Sequence, residues 1–326
     1  ETFYFYNDLD QVAVKIDALG GYTSFYYDKD GNVLSQRTYD TALTTLPATG
    51  GRASLAPGAP AGASRVTFFD YDKLGRLIES RVTGAVSGGW DGSAWVPLPD
   101  TAITTVFKYD AFSNVIRTTD PNGQQLWNWY DKLGRKTAQL DAERYRTDWE
   151  YDSDGNVTAE TRYANRTGTQ INFESPPSVT ASSDDRVTTF GYDLTGNRLY
   201  EERQNVLFHD GLGGNSSGAS RIQYAYDEMG QVTRKTEATG DYVIYDYDLS
   251  GRLVTETRAP VTVDEGTRSP TVSYSYDHLD NLLSTTASGV NLGSGYARTT
   301  SYSYDSAGRL ISTTDAEQHV RTYGYD

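Results

Sequence analysis

Tyr71-Asp72-Lys73-Leu74-Gly75-Arg76-Leu77 decides how this chain folds, because the chain repeats it. The same arrangement stands at Tyr27-Asp28-Lys29-Asp30-Gly31-Asn32-Val33 and at Tyr130-Asp131-Lys132-Leu133-Gly134-Arg135. Further copies begin at Tyr109, Tyr151, Tyr192, Tyr226, Tyr247, Tyr276 and Tyr304. A variant with Asn7 in place of Asp follows Tyr6, and Tyr325-Asp326 closes the sequence. Of the eleven intervals between these twelve tyrosines, five are 21 residues and the others run from 28 to 44. A fixed period with occasional expansions marks a repeat architecture.

Each position of the unit has a physical reading. Two residues before the anchor tyrosine stands another aromatic in eleven of twelve copies, Phe25, Phe69 and Tyr245 among them. Asn128 is the exception, and Trp127 and Trp129 flank it. A spacing of two places both rings on one face of a strand. The following Asp-x-x-Gly suits a tight turn whose fourth residue takes a positive φ. Gly occupies that position in eight of eleven turns, with Asp10, Ser113 and Asp280 in the others. A polar residue, an apolar one and a short Thr-rich strand complete the hairpin, as in Ile311-Ser312-Thr313-Thr314. The signature is therefore carried by Tyr27, Asp28 and Gly31; Tyr71, Asp72 and Gly75; Tyr130, Asp131 and Gly134; and Tyr151, Asp152 and Gly155. It continues at Tyr226, Asp227 and Gly230; Tyr247, Asp248 and Gly251; and Tyr304, Asp305 and Gly308.

A second, distal turn lies eleven residues after the anchor in the 21-residue units, for example Asp120-Pro121-Asn122-Gly123 and Asp315-Ala316-Glu317-Gln318. Its chemistry is less uniform, so the proximal turn reads as rigid and the distal one as softer. All six expansions fall at the distal turn, near 41–64, 84–101, 164–185, 205–220, 259–270 and 287–297, and read as loops rich in Gly, Ala, Pro and Ser. The expected fold is all-β, a curled antiparallel sheet of tandem hairpins running as one continuous array over 1–326. Twelve hairpins imply about 24 strands, a strip about 115 Å wide at ~4.8 Å per strand. An isolated hairpin buries too little to offset the entropy of ordering it, so neighbours must hold one another.

Composition narrows the function. With 29 basic and 44 acidic residues the net charge is −15, which argues against nucleic acid and against anionic membranes as partners. There is no Cys, so no disulfide framework and no thiolate chemistry. No apolar run is long enough to span a bilayer as a helix. The 41 aromatics, 26 of them Tyr, argue against disorder.

No catalytic, cofactor or metal site is expected. The repeated aspartates read as turn caps. Asp28-Lys29-Asp30-Gly31-Asn32 and Asp152-Ser153-Asp154-Gly155-Asn156 resemble the start of a calcium loop, but Tyr39 and Tyr163 stand where the bidentate Glu belongs. His209, His278 and His319 are far apart in sequence and lack paired ligand spacing. Trp90 and Trp95, in the insertion Ser87-Gly88-Gly89-Trp90-Asp91-Gly92-Ser93-Ala94-Trp95, are the candidate partner contacts, and the favoured alternative is that they fold back to cover the sheet edge or plug the lumen.

The Tyr-Asp-x-x-Gly-(Arg/Asn)-(Leu/Val) unit resembles the YD repeat of the Rhs (rearrangement hotspot) family, also found in the BC components of Tc toxin complexes and in teneurin shells. The resemblance covers essentially the whole chain. It implies a strip of hairpins spiralling into a hollow β-shell, of which this chain is a segment. In bacterial members that shell holds a C-terminal toxin domain, so the implied partners are the rest of the shell, an enclosed cargo and a secretion or toxin-complex component. The implied location is secreted or at the cell surface. The family's self-cleaving Asp-Pro-x-Gly-Leu signature has no counterpart here, since Gln124 follows Asp120-Pro121-Asn122-Gly123. The expected function is a non-enzymatic encapsulating wall. The competing reading is an extracellular adhesion or carbohydrate-binding array that uses the distal loops.

Overall fold

The computed structural model describes residues 1–83, 88–90, 95–97, 102–168, 170–209, 215–263, 266–289 and 297–325, with the backbone alone at 88–90, 95–97, 208–209, 215–216 and 263. Among these residues the secondary structure is β-strand apart from a single 3-10 turn, Ala53–Leu55. The chain divides into two compact units, Glu1–Thr147 with Asn165–Thr180, and Asp148–Ala164 with Ala181–Asp326.

In the first unit the hairpins Phe3–Tyr6/Val12–Ile16, Tyr22–Tyr27/Val33–Tyr39, Ser64–Tyr71/Leu77–Thr83, Ile103–Tyr109/Val115–Thr119 and Gln125–Tyr130/Lys136–Leu140 pair antiparallel. Each also pairs antiparallel with the next hairpin along the chain, as in Val14↔Ser24 and Arg117↔Trp127. The second unit repeats the scheme from Arg186–Tyr192/Arg198–His209 to Arg298–Tyr304/Leu310–Thr314. Period-two patterning and short turns dictate this meander, because a two-residue alternation cannot settle as a helix.

Ten proximal hairpins share one irregularity. The anchor tyrosine pairs with the residue six positions on, and the next pair skips one residue, as in Tyr27↔Val33 followed by Tyr26↔Ser35. The skipped residue, Leu34 in that case, is a β-bulge that bends the strand and raises its twist. The distal pairings Val14↔Ser24, Arg117↔Trp127, Arg234↔Ile244 and Ser312↔Thr322 run without a shift. In these units twist is thus added on one side of the hairpin only, whereas the pairing of Arg198–His209 with Asn215–Tyr226 carries a bulge between Arg203 and Val206.

The buried hydrophobic side chains sit on the face opposite the anchor tyrosines. Phe3, Phe5, Val14, Ile16 and Tyr22 form one cluster, against which Leu43 and Ala56 of the 41–64 insertion pack. Trp127, Trp129, Ala138 and Leu140 form another, covered by Ile171 of the 164–185 insertion, while the Phe173 ring lies 4.9 Å from that of Trp127. These insertions are therefore not simple loops. Gly51–Arg52 adds a parallel strand beside Phe5–Tyr6, and a Cβ at Gly50 would sit 2.4 Å from the Tyr4 carbonyl oxygen. Elsewhere the expected loops are partly strand. Around 205–220 the hairpin lengthens instead, with Val206↔Gly218 through His209↔Asn215 still paired. The 259–270 insertion forms the small hairpin Val261–Val263/Gly266–Arg268, and the 84–101 insertion forms Gly88–Trp90/Trp95–Pro97. Gly, Ser and Thr permit either outcome, since their weak preferences leave cross-strand pairing to decide. The expected insertion near 287–297 falls largely outside the described residues.

Candidate functional site

The repeated proximal turn is the site that the sequence singles out, and its geometry assigns a task to each recurring residue. In the copy at Tyr71, the Gly75 N–H donates to the Asp72 carbonyl at 3.0 Å, closing a tight turn. Asp72 Oδ1 accepts the backbone N–H groups of Leu74 and Arg76 at 2.9 and 3.0 Å, and its Oδ2 accepts the Arg76 Nε at 2.7 Å. Where the sequence carries Asn in place of Arg, the amide does the same, as Asn32 Nδ2 does to Asp28 Oδ2 at 2.9 Å. This requirement for a donor four residues after the aspartate explains the Asn and Arg at that position, whereas Gln11 accepts from Asn7 Nδ2 and Gln231 Nε2 donates to the Gly251 carbonyl.

The fourth turn residue has a positive φ in every proximal turn, including Asp10 (58°), Ser113 (70°) and Asp280 (64°). The distal turns share the proximal geometry. Gly20, Gly123, Arg144, Gly240 and Gln318 also have positive φ, with the same backbone bonds closing each turn. Four of the five are capped by Asp17, Asp120, Asp141 and Asp315. Arg and Gln can occupy the left-handed region at a modest cost when a capped turn over-determines the backbone, which residue identity alone did not reveal.

The anchor tyrosine has a role that only the three-dimensional arrangement reveals. Its hydroxyl donates to the backbone carbonyl of the residue six positions beyond the preceding anchor. Tyr27 reaches Val12 at 2.8 Å, Tyr71 reaches Val33 at 3.1 Å, Tyr109 reaches Leu77 at 2.7 Å and Tyr247 reaches Val232 at 2.9 Å. The same bond is made by Tyr130, Tyr192, Tyr226, Tyr276, Tyr304 and Tyr325. The accepting carbonyl lies where the ladder to the next hairpin has not yet begun, since Arg234↔Ile244 is the first pair beyond Val232. The phenol therefore continues the hairpin-to-hairpin ladder past its end.

Arginine at the last turn position adds a second link. Arg76 stacks 4.7 Å from the centre of the Tyr109 ring and donates to the Asp110 carbonyl at 3.0 Å. Arg252 does the same with Tyr276 (5.0 Å) and the Asp277 carbonyl (2.8 Å). Asn128 now has an explanation. Its Nδ2 donates to the Val115 carbonyl that Tyr130 also uses, and its Oδ1 accepts Gln139 Nε2, so a buried amide replaces the usual ring.

The titration behaviour follows these contacts. Hydrogen bonds from Asn32 hold the Asp28 carboxyl below its ordinary value, and those from Arg76 do so for Asp72. Asp193, which also accepts from the Thr195 hydroxyl, is lowered to about 2. Burial pushes the Tyr71, Tyr130, Tyr192 and Tyr247 phenols up. Both oxygens of Asp28 and of Asp152 are engaged by their own turns, which leaves the calcium-like segments acting as caps.

The histidines hold one surprise. His319 Nδ1 lies 3.0 Å from Asp315 Oδ2, and with Glu317 these form the one group among the described residues whose ligand atoms all fall within 4.8 Å of one another. Their i, i+2, i+4 spacing across a tight turn was the available signal. Glu317 is paired with Arg298, and Asp315 Oδ1 caps its turn. The backbones of Trp90 and Trp95 pair directly within their small hairpin, and their side chains lie outside the described residues.

The family described as RHS Repeat matches residues 226–260, 297–320 and 304–326, segments that hold the turns at Tyr226, Tyr247 and Tyr304. Over those segments the chain carries Rhs, or YD, repeats. No curated protein matches it. Among solved structures, this chain is similar to TcdB2-TccC3 without its hypervariable C-terminal region, with a TM-score of 0.52 and 14% identity over 95% of this chain. It is similar also to the complex TcdB2-TccC3-Cdc42, with a TM-score of 0.49 and 13% identity over 94% of this chain. The chain spans only 16% and 18% of the length of those two chains. The first likeness supports the all-β hairpin fold. Among the described residues no helix is long and apolar enough to cross a membrane.

Proposed function

We propose that this chain is a segment of the wall of an Rhs-type β-shell that encloses a C-terminal toxin domain and protects it until delivery. One observation carries the reading. Hairpins are joined to their neighbours by the tyrosine–carbonyl stitch, and in the second unit no described hydrophobic side chain is fully buried. Such a strip derives its order from lateral linkage instead of a central core, which is what a wall requires and what a globular enzyme lacks. The partners on this reading are the rest of the shell, the enclosed domain and a toxin-complex or secretion component, with a secreted or cell-surface location. The wall acts physically, by keeping the cargo from solvent and from the host.

Intact and peptide mass spectrometry on the purified full-length parent protein tests this. A C-terminal fragment, cleaved yet copurifying with the shell, is the expected result. A full-length chain whose C-terminal region is open to added protease in the native state would overturn the proposal.

A second reading, surface adhesion through the distal insertions, is favoured by the Trp90–Trp95 hairpin, which pairs with itself and not with the neighbouring ladder. Replacing Trp90→Ala together with Trp95→Ala abolishes glycan-array or cell binding on that reading. Binding that survives the double replacement removes it.

A further inference from the structure

In the second unit the cations are matched, with one exception. Arg198 and Arg203 hold Glu201, Arg221 holds Glu202, Arg252 holds Asp248 and Arg234 lies 4.2 Å from the centre of the Tyr242 ring. Every other described Lys or Arg of the unit likewise has a partner, except Arg186. Arg186 stands directly opposite Arg162 in the antiparallel register. Like charges in that position repel, so the pair weakens the sheet locally and needs a compensating reason.

The surroundings supply one. By alternation Arg186 lies on the same face as Thr188, Phe190 and Tyr192, and Arg203 is the cross-strand partner of Thr188. The three guanidinium-bearing residues thus gather at one end of the aromatic row. Glu160 holds Arg162 and Glu201 holds Arg203, which fixes two of the three and leaves the Arg186 fork open. They line a groove of about 580 Å³ whose other wall is Phe190, Val206 and Leu207, the last 76% exposed. A bulge between Arg203 and Val206 shapes that wall, with Asn205 held at φ 56° and its Nδ2 donating to the Ser183 carbonyl at 3.1 Å. Arg186, set opposite a like charge and without a counter-ion of its own, is a local cost that no described contact of Arg186 offsets.

We propose that this groove binds an acidic peptide segment, with Arg186 taking a carboxylate and the Phe190–Leu207 wall taking an adjoining apolar side chain. A guanidinium presents paired donors that match a carboxylate in two parallel bonds, and clusters of arginine are a recurrent means of recognising acidic motifs. The net charge of −15 repels acidic polypeptides from the rest of the surface, so binding depends on this short-range contact. The inference does not depend on whether the array encloses a cargo or serves in adhesion.

The test is isothermal titration of the full chain with a capped peptide alternating glutamate and leucine, beside the same peptide with glutamine for glutamate. Saturable binding of the first peptide is expected, weakened by salt, and lowered about tenfold by Arg186→Gln, with Arg186→Lys retaining part of it. Far-UV circular dichroism and the melting midpoint accompany each variant. The midpoint of Arg186→Gln is expected to stay level or rise as the repulsion with Arg162 is removed, whereas a purely structural Arg186 would lower it. Absence of saturable binding, equal binding of the glutamine peptide, or equal affinity in Arg186→Gln overturns the proposal. Displacement of the peptide by acetate at comparable concentration would reduce the groove to a simple anion site and overturn the peptide assignment.

Discussion

Tyr247→Phe removes one oxygen and tests the stitch that joins successive hairpins. The Tyr247 hydroxyl donates to the Val232 carbonyl at 2.9 Å in a partly buried setting. Losing a neutral hydrogen bond of this kind costs about 0.5–1.5 kcal/mol, and a carbonyl left short of a partner adds to that cost. The expected loss is about 1–2 kcal/mol, a few degrees in melting midpoint for a chain of this size. Tyr130→Phe is the internal control, because the Val115 carbonyl accepts both Tyr130 and Asn128 Nδ2, each at 3.0 Å. Removing one donor there leaves the other, so the cost should be less than half as large. Tyr26→Phe, at a tyrosine 63% exposed, should be silent. Repeat arrays open in parts, so the decisive assay is native-state hydrogen exchange read by peptide. Faster exchange should be confined to the strands Val232–Thr236 and Tyr242–Tyr247. Equal effects of Tyr247→Phe and Tyr130→Phe, or no effect of either, would refute the stitch as a source of stability.

Three further outcomes follow from the turns and insertions. Gly134→Val should cost about 1–2 kcal/mol, because φ is 77° there and a β-branched residue is strained in that region, while Gly134→Asn should be nearly silent by thermal melting. Asp28, Asp72, Asp131, Asp193 and Asp248 have folded pKa values below their unfolded ones, so their contribution is full above about pH 4 and is lost as pH falls through the folded values, about 2 for Asp193. The raised phenols work the other way, losing their contribution as pH climbs past about 10, so the melting midpoint should be flat between these limits and fall outside both. Deleting 47–63 should destabilise the first unit, since it removes Ala56 and the Gly51–Arg52 strand, and an unchanged melting curve would return that insertion to the status of a free loop.

Much of this was legible along the chain. Period-two aromatics before each Asp-x-x-Gly prescribe strand, turn and strand, because side-chain alternation and positive-φ turns are local properties of a few residues. The Asp72 cap and its Arg76 partner are local for the same reason, four residues apart. Proximity in sequence is what made them readable.

The rest depends on contacts between residues distant in sequence. Why the anchor is tyrosine and not phenylalanine is set by a carbonyl 15 to 38 residues earlier, at Val12 for Tyr27 and at Val33 for Tyr71. Sequence alternation alone does not say which face is covered, and the fully buried side chains Phe5, Ile16 and Leu140, with Trp129, lie on the face opposite the anchor rings. Insertions cover that face, and a Gly- and Ser-rich segment carries no local signal of what it will land on. The sequence by itself determined the hairpin, its turns and its repetition. Only the tertiary structure decided which face is covered, how each hairpin is tied to the next, and that Arg186 faces Arg162, because those outcomes depend on register between strands and not on any one strand's residues.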